Sequence, residues 1–304
     1  MGTRKQGEEA MRVFASKTRC LYFTIFAGWA AAAVAWLMGQ DTSTSRQKAQ
    51  HVCMWNEPVC QHGDMVSIGV VATDADMSKL DGLHAVKELG FMIGPVDRPS
   101  CAPELCGAGG PKIADAGFAH IRNLRDLENL DAVSLPLLTD DALLSLSKLQ
   151  RLREVRFEFN SNFTDAGLAH LQHLKRLQTA TFYGAPITDR GILYLRDSTG
   201  LQNLQLGRSL VTDKGAREIV AQFRNLKILD LQGTKVTNTG LADIAALPHL
   251  EWLCLMNTSA TDPGILALRS VSTLRDLYIT TGSVHGESIT SLKRSLPTLR
   301  VHVE

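Results

Sequence analysis

One short phrase recurs along most of this chain at a nearly fixed interval, and such a pattern cannot close into one round core. From residue 138 the phrases begin Leu138-Thr-Asp-Asp-Ala, Phe163-Thr-Asp-Ala-Gly, Ile187-Thr-Asp-Arg-Gly and Val211-Thr-Asp-Lys-Gly. Val236-Thr-Asn-Thr-Gly and Ala260-Thr-Asp-Pro-Gly follow. A weaker copy, Ile113-Ala-Asp-Ala-Gly, precedes them, and a degenerate one, Val284-His-Gly-Glu-Ser, closes the series. The spacings are 25, 25, 24, 24, 25, 24 and 24 residues. A fixed period of this size is the mark of a stacked repeat architecture.

Each period divides into two parts. The second part carries L-x-x-L-x-L, as in Leu201/Leu204/Leu206, Leu226/Leu229/Leu231 and Leu250/Leu253/Leu255. Alternation at its last two positions predicts a short strand with one buried face. The first part has helical spacing, as in Gly240-Leu241-x-x-Ile244-x-x-Leu247. The Asp or Asn after each Thr is expected to cap that helix. Pro263 fits a first helical position, where a missing N–H costs nothing. Neither the strand nor the helix can bury its apolar side alone, so the units must stack. In the first unit, Leu127/Leu130 and Leu130/Val133/Leu135 can both be aligned to the strand pattern.

These units resemble the leucine-rich repeat family, and more narrowly its bacterial subtype with consensus L-x-x-L-x-L-x-x-T-x-V-T-D-x-G-L. The stretch from Leu226 through Leu229, Leu231, Thr234, Val236, Thr237, Asn238 and Gly240 to Leu241 follows that consensus closely. The resemblance covers residues 113–304 and implies an α/β solenoid of about eight strand–helix units. It also implies a polar ladder at Thr234, Thr258 and Asn160, from which Ala185, Ser209 and Gly282 depart.

Residues 20–38, CLYFTIFAGWAAAAVAWLM, hold no charge. That is close to the ~20 residues a helix needs to cross a bilayer. Tyr22, Trp29 and Trp36 stand near the places aromatic belts occupy. Arg4, Lys5, Arg12, Lys17 and Arg19 precede the run, whereas only Arg46 and Lys48 follow over a similar distance. The positive-inside rule makes 1–19 a cytoplasmic tail and 20–38 a signal anchor, with the rest exocytoplasmic in a single-pass arrangement. A cleaved secretory signal is the alternative, although Leu37-Met38-Gly39 matches a small-residue cleavage site poorly. Residues 39–50 are polar and aperiodic, as a linker is.

Residues 51–112 form an expected N-terminal cap. Met65–Val71 and Leu89–Ile93 read as strands, and Leu80-x-x-Leu83-x-x-Val86-x-x-Leu89 between them as a helix, with one degenerate repeat included. Cys53, Cys60, Cys101 and Cys106 lie here. Outside the cytoplasm they can form disulfides, with Cys53–Cys60 and Cys101–Cys106 the favoured local pairs. The competing reading is a metal site at His51, Cys53, Cys60 and His62, whose spacing matches no common zinc arrangement.

The chain offers little chemistry elsewhere. It has no G-x-S-x-G elbow, no phosphate-binding Gly-Lys-Ser/Thr loop and no H-E-x-x-H pair. Lys and Arg number 32 against 31 Asp and Glu, so no basic excess points to nucleic acid. No enzyme, cofactor, metal or small-molecule substrate is expected, and the partner is expected to be a protein.

In L-x-x-L-x-L the leucines point inward, so the positions between them face the concave side. The rungs begin Glu154/Arg156/Glu158, Thr179/Thr181/Tyr183 and Asn203/Gln205/Gly207. They continue Ile228/Asp230/Gln232, Trp252/Cys254/Met256 and Asp276/Tyr278/Thr280. Ile228, Trp252, Met256 and Tyr278, bordered by Asp230 and Asp276, form the expected protein-binding group, because Trp, Tyr and Met are enriched at interfaces. Scattered surface residues, or cover from the end of the chain, would place the same side chains there without a partner. Cys254 alternates with the leucines and is expected to face outward. Rival roles are a recognition subunit of an envelope enzyme or sensor with a thiol or metal site in the cap, and a structural envelope component.

Overall fold

The computed structural model describes residues 59–69, 72–83, 85–91, 111–133 and 135–304. The expected tail, anchor and linker lie outside them, as do Cys53, Cys101 and Cys106; only the backbone of Cys60 falls within. Among the described residues no helix is long and apolar enough to cross a membrane.

The chain coils as an α/β solenoid in which strands and short helices alternate along one sheet. Its strands are β1 (Val59–His62), β2 (Met65–Ile68), β3 (Glu88–Phe91), β4 (Asn129–Val133), β5 (Glu154–Glu158) and β6 (Thr179–Tyr183). β7 (Asn203–Gln205), β8 (Ile228–Asp230), β9 (Trp252–Cys254), β10 (Asp276–Ile279) and β11 (Arg300–Val303) complete them. They form one sheet in sequence order, with β1 antiparallel to β2 and every later pair parallel. Between strands run short helices: α1 (Asp74–Met77), α2 (Asp115–Phe118), α3 (Asp140–Leu144), α4 (Asp165–Ala169) and α5 (Asp189–Leu193). Then come α6 (Asp213–Gln222), α7 (Asn238–Ile244), α8 (Asp262–Ala267) and α9 (Gly286–Ser295).

The inward strand positions make a continuous seam. Leu130, Val155, Ala180, Leu204, Leu229, Leu253 and Leu277 stand in one register row. All are buried. The pairing Leu130↔Val155 aligns Leu130 with the first strand leucine and so settles the ambiguous first unit. The early turns fill the seam with phenyl rings. Phe91 stacks on Phe118 at 5.9 Å, and Phe157 stacks on Phe182 at 5.9 Å while meeting Phe163 edge-on at 4.9 Å.

Two local expectations change. The helix read over Leu80–Leu89 is absent. α1 begins at Asp74, tightens into a 3₁₀ turn over Ser78–Gly82, and the chain is extended again at Leu83. Leu89 belongs to β3. Ala72-Thr73-Asp74 is itself an unrecognised copy of the repeated phrase, which starts the helix earlier.

The second change concerns the Thr-Asp pair. From α3 to α7 the residue that caps the helix is the Thr, not the Asp; α2 and α9 have Ala114 and His285 at that place, without a side-chain cap. Thr164 Oγ1 accepts from Ala166 N–H, Thr188 from Arg190 and Thr212 from Lys214, each at 3.2 Å. The Asp instead reaches the next turn. Asp140 accepts from the N–H and hydroxyl of Thr164 at 2.7 and 2.6 Å. Asp165 does the same for Thr188, Asp189 for Thr212 and Asp213 for Thr237. Asn238 continues the ladder to Thr261, and Asp262 carries it to His285.

This ladder explains the glycine of the phrase. A methyl group at Gly215 would lie on the Asp189 carboxylate and against Val211 and Ile192. Gly191 and Gly240 face the same obstruction from Asp165 and Asp213. Ala142 occupies this place in one turn, where Asp115 still reaches Thr139 N–H at 2.9 Å. In the α1 turn the place is held by Asp76. Its own carboxylate accepts from the Thr73 N–H and hydroxyl at 3.0 Å, closing a capping box. That backbone bond, foremost, holds the Asp76 carboxyl below the usual range. Asp74 then reaches Ala114 N–H across 40 residues, where other turns need 23 or 24.

Candidate functional site

The parallel register fixes which side chains share the concave face. Its middle row runs Asp131, Arg156, Thr181, Gln205, Asp230, Cys254, Tyr278 and His302. Adjacent strands place these residues about 4.8 Å apart. The neighbouring row toward the strand ends includes Val133, Glu158 and Tyr183.

At the C-terminal end Trp252, Met256 and Tyr278 come together, while Ile228 lies beside Trp252 in the register and outside their cluster. Cys254, Met256 and Tyr278 form an apolar cluster separate from the leucine seam, with Trp252 packed against it. The Trp252 and Tyr278 ring centres lie 5.2 Å apart, and Tyr278 stacks on His302 at 4.2 Å and 11°. Asp276 accepts from Arg300 at 2.5 Å and pairs with His302 at 3.0 Å. Burial pushes the Asp276 carboxyl up, but the Arg300 and His302 bonds outweigh it and hold it below its usual value.

The group is far more enclosed than alternation alone predicts. Met256 is 3% exposed, Tyr278 7% and Asp230 2%, whereas Ile228, Trp252 and Asp276 are half-buried. Cys254 does leave the leucine seam, but it is sealed at 0% exposure rather than outward and accessible. Its thiol hydrogen-bonds Asp230. The cover comes from the neighbours: Cys254 lies between Asp230 and Tyr278 in the row, Trp252 packs against it, and His302 on β11 stacks on Tyr278.

Asp230 lies near the middle of the face. Burial raises its carboxyl to about 6, against the Gln232 N–H at 2.8 Å and the Cys254 thiol. The Tyr183 ring lies over Gly207, where any side chain would collide with it. Phe159 meets that ring edge-on at 5.5 Å, and the Arg208 guanidinium sits 5.5 Å from its centre. Burial lifts the Tyr183 phenol to about 12, with Arg208 opposing.

Phe159 and Arg208 both hold left-handed backbones, φ 61° each. Gly184, Gly233 and Asn257 take the same conformation in the neighbouring turns. There the Phe159, Gly184, Arg208 and Gly233 N–H groups extend the sheet by reaching the next turn's carbonyls. Glycine and asparagine tolerate this backbone easily; Phe and Arg hold it at a cost of about 1–3 kcal/mol each. Phe159 is also 45% exposed.

The N-terminal end of the face differs in chemistry. Glu158 is 2% exposed, and burial first, then Asp131 and Asp230, push its carboxyl up to about 8 against the pull of Arg156. Burial also raises Asp131, with Arg156 opposing and Glu154 adding to the rise. Yet Arg156 hydrogen-bonds Glu154, at 3.2 Å. Asp131 Oδ1 and Thr181 Oγ1 are buried and find no partner among the described residues. These residues were not singled out from the sequence. The clue was a rung with two glutamates around one arginine, but the unaligned Asp131 hid its other half. Among the described residues no group of His, Cys, Asp or Glu is arranged to hold a metal ion.

No family profile matches this chain. A curated relative, mitochondrial ATP synthase subunit s of Homo sapiens, is 29% identical over 99 residues, which is 31% of this chain. The chain spans about half, 50%, of that relative's length. Internalin C2 of Listeria monocytogenes is similar in structure, with TM-score 0.46 and 21% identity over 62% of this chain and 75% of that one. Internalin F of the same organism gives 0.45 and 14% over 78% and 72%.

Proposed function

We propose that this chain is a non-enzymatic leucine-rich-repeat protein of the bacterial Thr-Asp-x-Gly-Leu subtype that binds another protein on its concave face. In this reading residues 20–38 anchor it in the cell membrane, residues 1–19 stay in the cytoplasm and the repeats stand outside. The observation that carries the binding role is the second apolar cluster. Trp252, Tyr278 and His302 form a row of aromatic contacts outside the leucine core, and Trp252 is still half-exposed. An aromatic anchor partly open on a rigid surface, beside the charged Asp276, is the usual composition of an interface centre.

A photocrosslinker placed at Ile228, beside Trp252 in the register, tests this in cells. One recurrent protein adduct, lost on Trp252→Ala, is the expected result. No recurrent adduct would remove the binding role and leave the structural envelope reading. The anchor is tested separately: intact residues 1–19 in the membrane fraction by mass spectrometry support it, and a chain starting after residue 38 replaces it with a cleaved signal.

A further inference from the structure

The acidic end of the concave face is left unfinished by the described residues. Asp131 on β4, Glu158 on β5 and Thr181 on β6 occupy three adjacent strands. Thr181 is 1% exposed and its hydroxyl has no hydrogen-bond partner among the described residues. Its register row is that of Asp131 and Arg156, so the hydroxyl lies on the same face as the two carboxyls. Asp131 Oδ1 is likewise unpartnered. The nearest cation, Arg156, is turned to Glu154 on its own strand. Burying acceptors without donors is costly, and native chains rarely leave them so.

We infer that this cluster receives the guanidinium or ammonium group of a basic side chain carried by a partner protein. The inference rests on the concave face being the binding face. A guanidinium offers several donors in one plane, suited to acceptors on neighbouring strands, and Asp131 is the partly exposed carboxyl through which it would enter. The charge also matches, since Glu154, Glu158 and Asp131 surround one arginine. The partner's cation displaces Arg156 toward Glu154, where that side chain already points. In the free protein the raised Glu158 carboxyl holds a proton near neutral pH, and the arriving cation expels it.

Groups facing Glu158 are Asp131 on β4, Arg156 on its own strand, Tyr183 on β6 and Asp230 on β8. Asp230, raised to about 6, and Tyr183, raised to about 12, are not proton donors or acceptors near pH 8. Glu158 and Asp131, whose carboxyl burial also raises, therefore set the pH dependence of binding together.

The test uses the full chain in detergent and a fluorescent arginine-rich peptide, beside the same peptide with citrulline at every arginine. The arginine peptide is expected to bind at least about tenfold more tightly than the citrulline one. Binding should tighten as pH rises toward 8. Glu158→Gln and Asp131→Asn should each weaken it, and Arg156→Gln should strengthen it by removing a competing cation. Glu158→Gln copies the protonated acid, so its fold should survive; a circular dichroism spectrum confirms that. Equal affinity for the two peptides, no binding of either, or unchanged affinity in Glu158→Gln overturns the inference. If the arginine preference fails while the crosslink at Ile228 persists, the face binds a partner of other chemistry. If the crosslink fails while the preference holds, the aromatic cluster is not the anchor.

Discussion

On the helix side of this solenoid, from α2 to α7, each turn meets the next through the same Asp-to-Thr contact. Asp140 reaches Thr164, Asp165 reaches Thr188 and Asp189 reaches Thr212, each through both the N–H and the hydroxyl. On the concave side no two neighbours in the middle row are alike, from Asp131 through Arg156, Thr181, Gln205, Asp230, Cys254 and Tyr278 to His302. The regular contact solves one problem common to all turns, the spacing of one unit on the next. The same face holds Glu158, whose carboxyl is raised by burial and by Asp131, and the buried oxygens of Asp131 and Thr181 that find no partner among the described residues. Regularity marks structure here, and its loss marks the surface on which the proposed binding role rests.

Five substitutions break or sharpen that contrast. The largest effect is expected from Gly215→Val. A branched side chain would be driven into the Asp189 carboxylate, Val211 and Ile192, costing about 3 kcal/mol by denaturant titration. A loss below about 0.5 kcal/mol would show that the ladder yields easily. Asp189→Ala should follow at about 2 kcal/mol, because Thr212 loses acceptors for its N–H and its hydroxyl.

The concave side reverses the sign. The Glu158 carboxyl is raised in the folded chain, so between the ordinary value of 4.5 and about 8 the folded state holds a proton that the unfolded state has released. Stability contributed by this group is therefore present below 4.5 and lost as pH rises through about 8. Glu158→Gln removes that loss and should stabilise the chain by about 1–2 kcal/mol at pH 9, with little change at pH 4. A melting series across pH checks it; destabilisation at pH 9 would mean the carboxylate has a partner there.

The smallest stability effect is expected from Trp252→Ala, at under about 1 kcal/mol, since the ring is half-exposed and outside the leucine seam. Tyr278→Ala should cost more, because that ring is 7% exposed and stacks between Trp252 and His302. Equal losses from the two would erase the distinction between an anchor open to a partner and one serving the fold.

The sequence by itself determined the period, the strand and helix of the central turns, and the leucine seam. Those features depend on local spacing: Leu229 and Leu231 alternate because a strand alternates, and Gly240, Leu241 and Ile244 recur at helical intervals. The sequence also placed Trp252, Met256 and Tyr278 on one face. It could not say that Asp189 belongs to the next turn rather than its own helix, since capping within a turn and bonding between turns use the same Thr-Asp pair. Only the stacking distance between turns decides which N–H the carboxylate meets. Nor could it show that the concave row buries itself. Exposure there depends on which side chains the neighbouring strands bring alongside, a property of the stacked coil. Alternation names the face a side chain is on; its neighbours across the strands decide whether Cys254 is sealed, Trp252 half-open, and Glu158 buried beside Asp131.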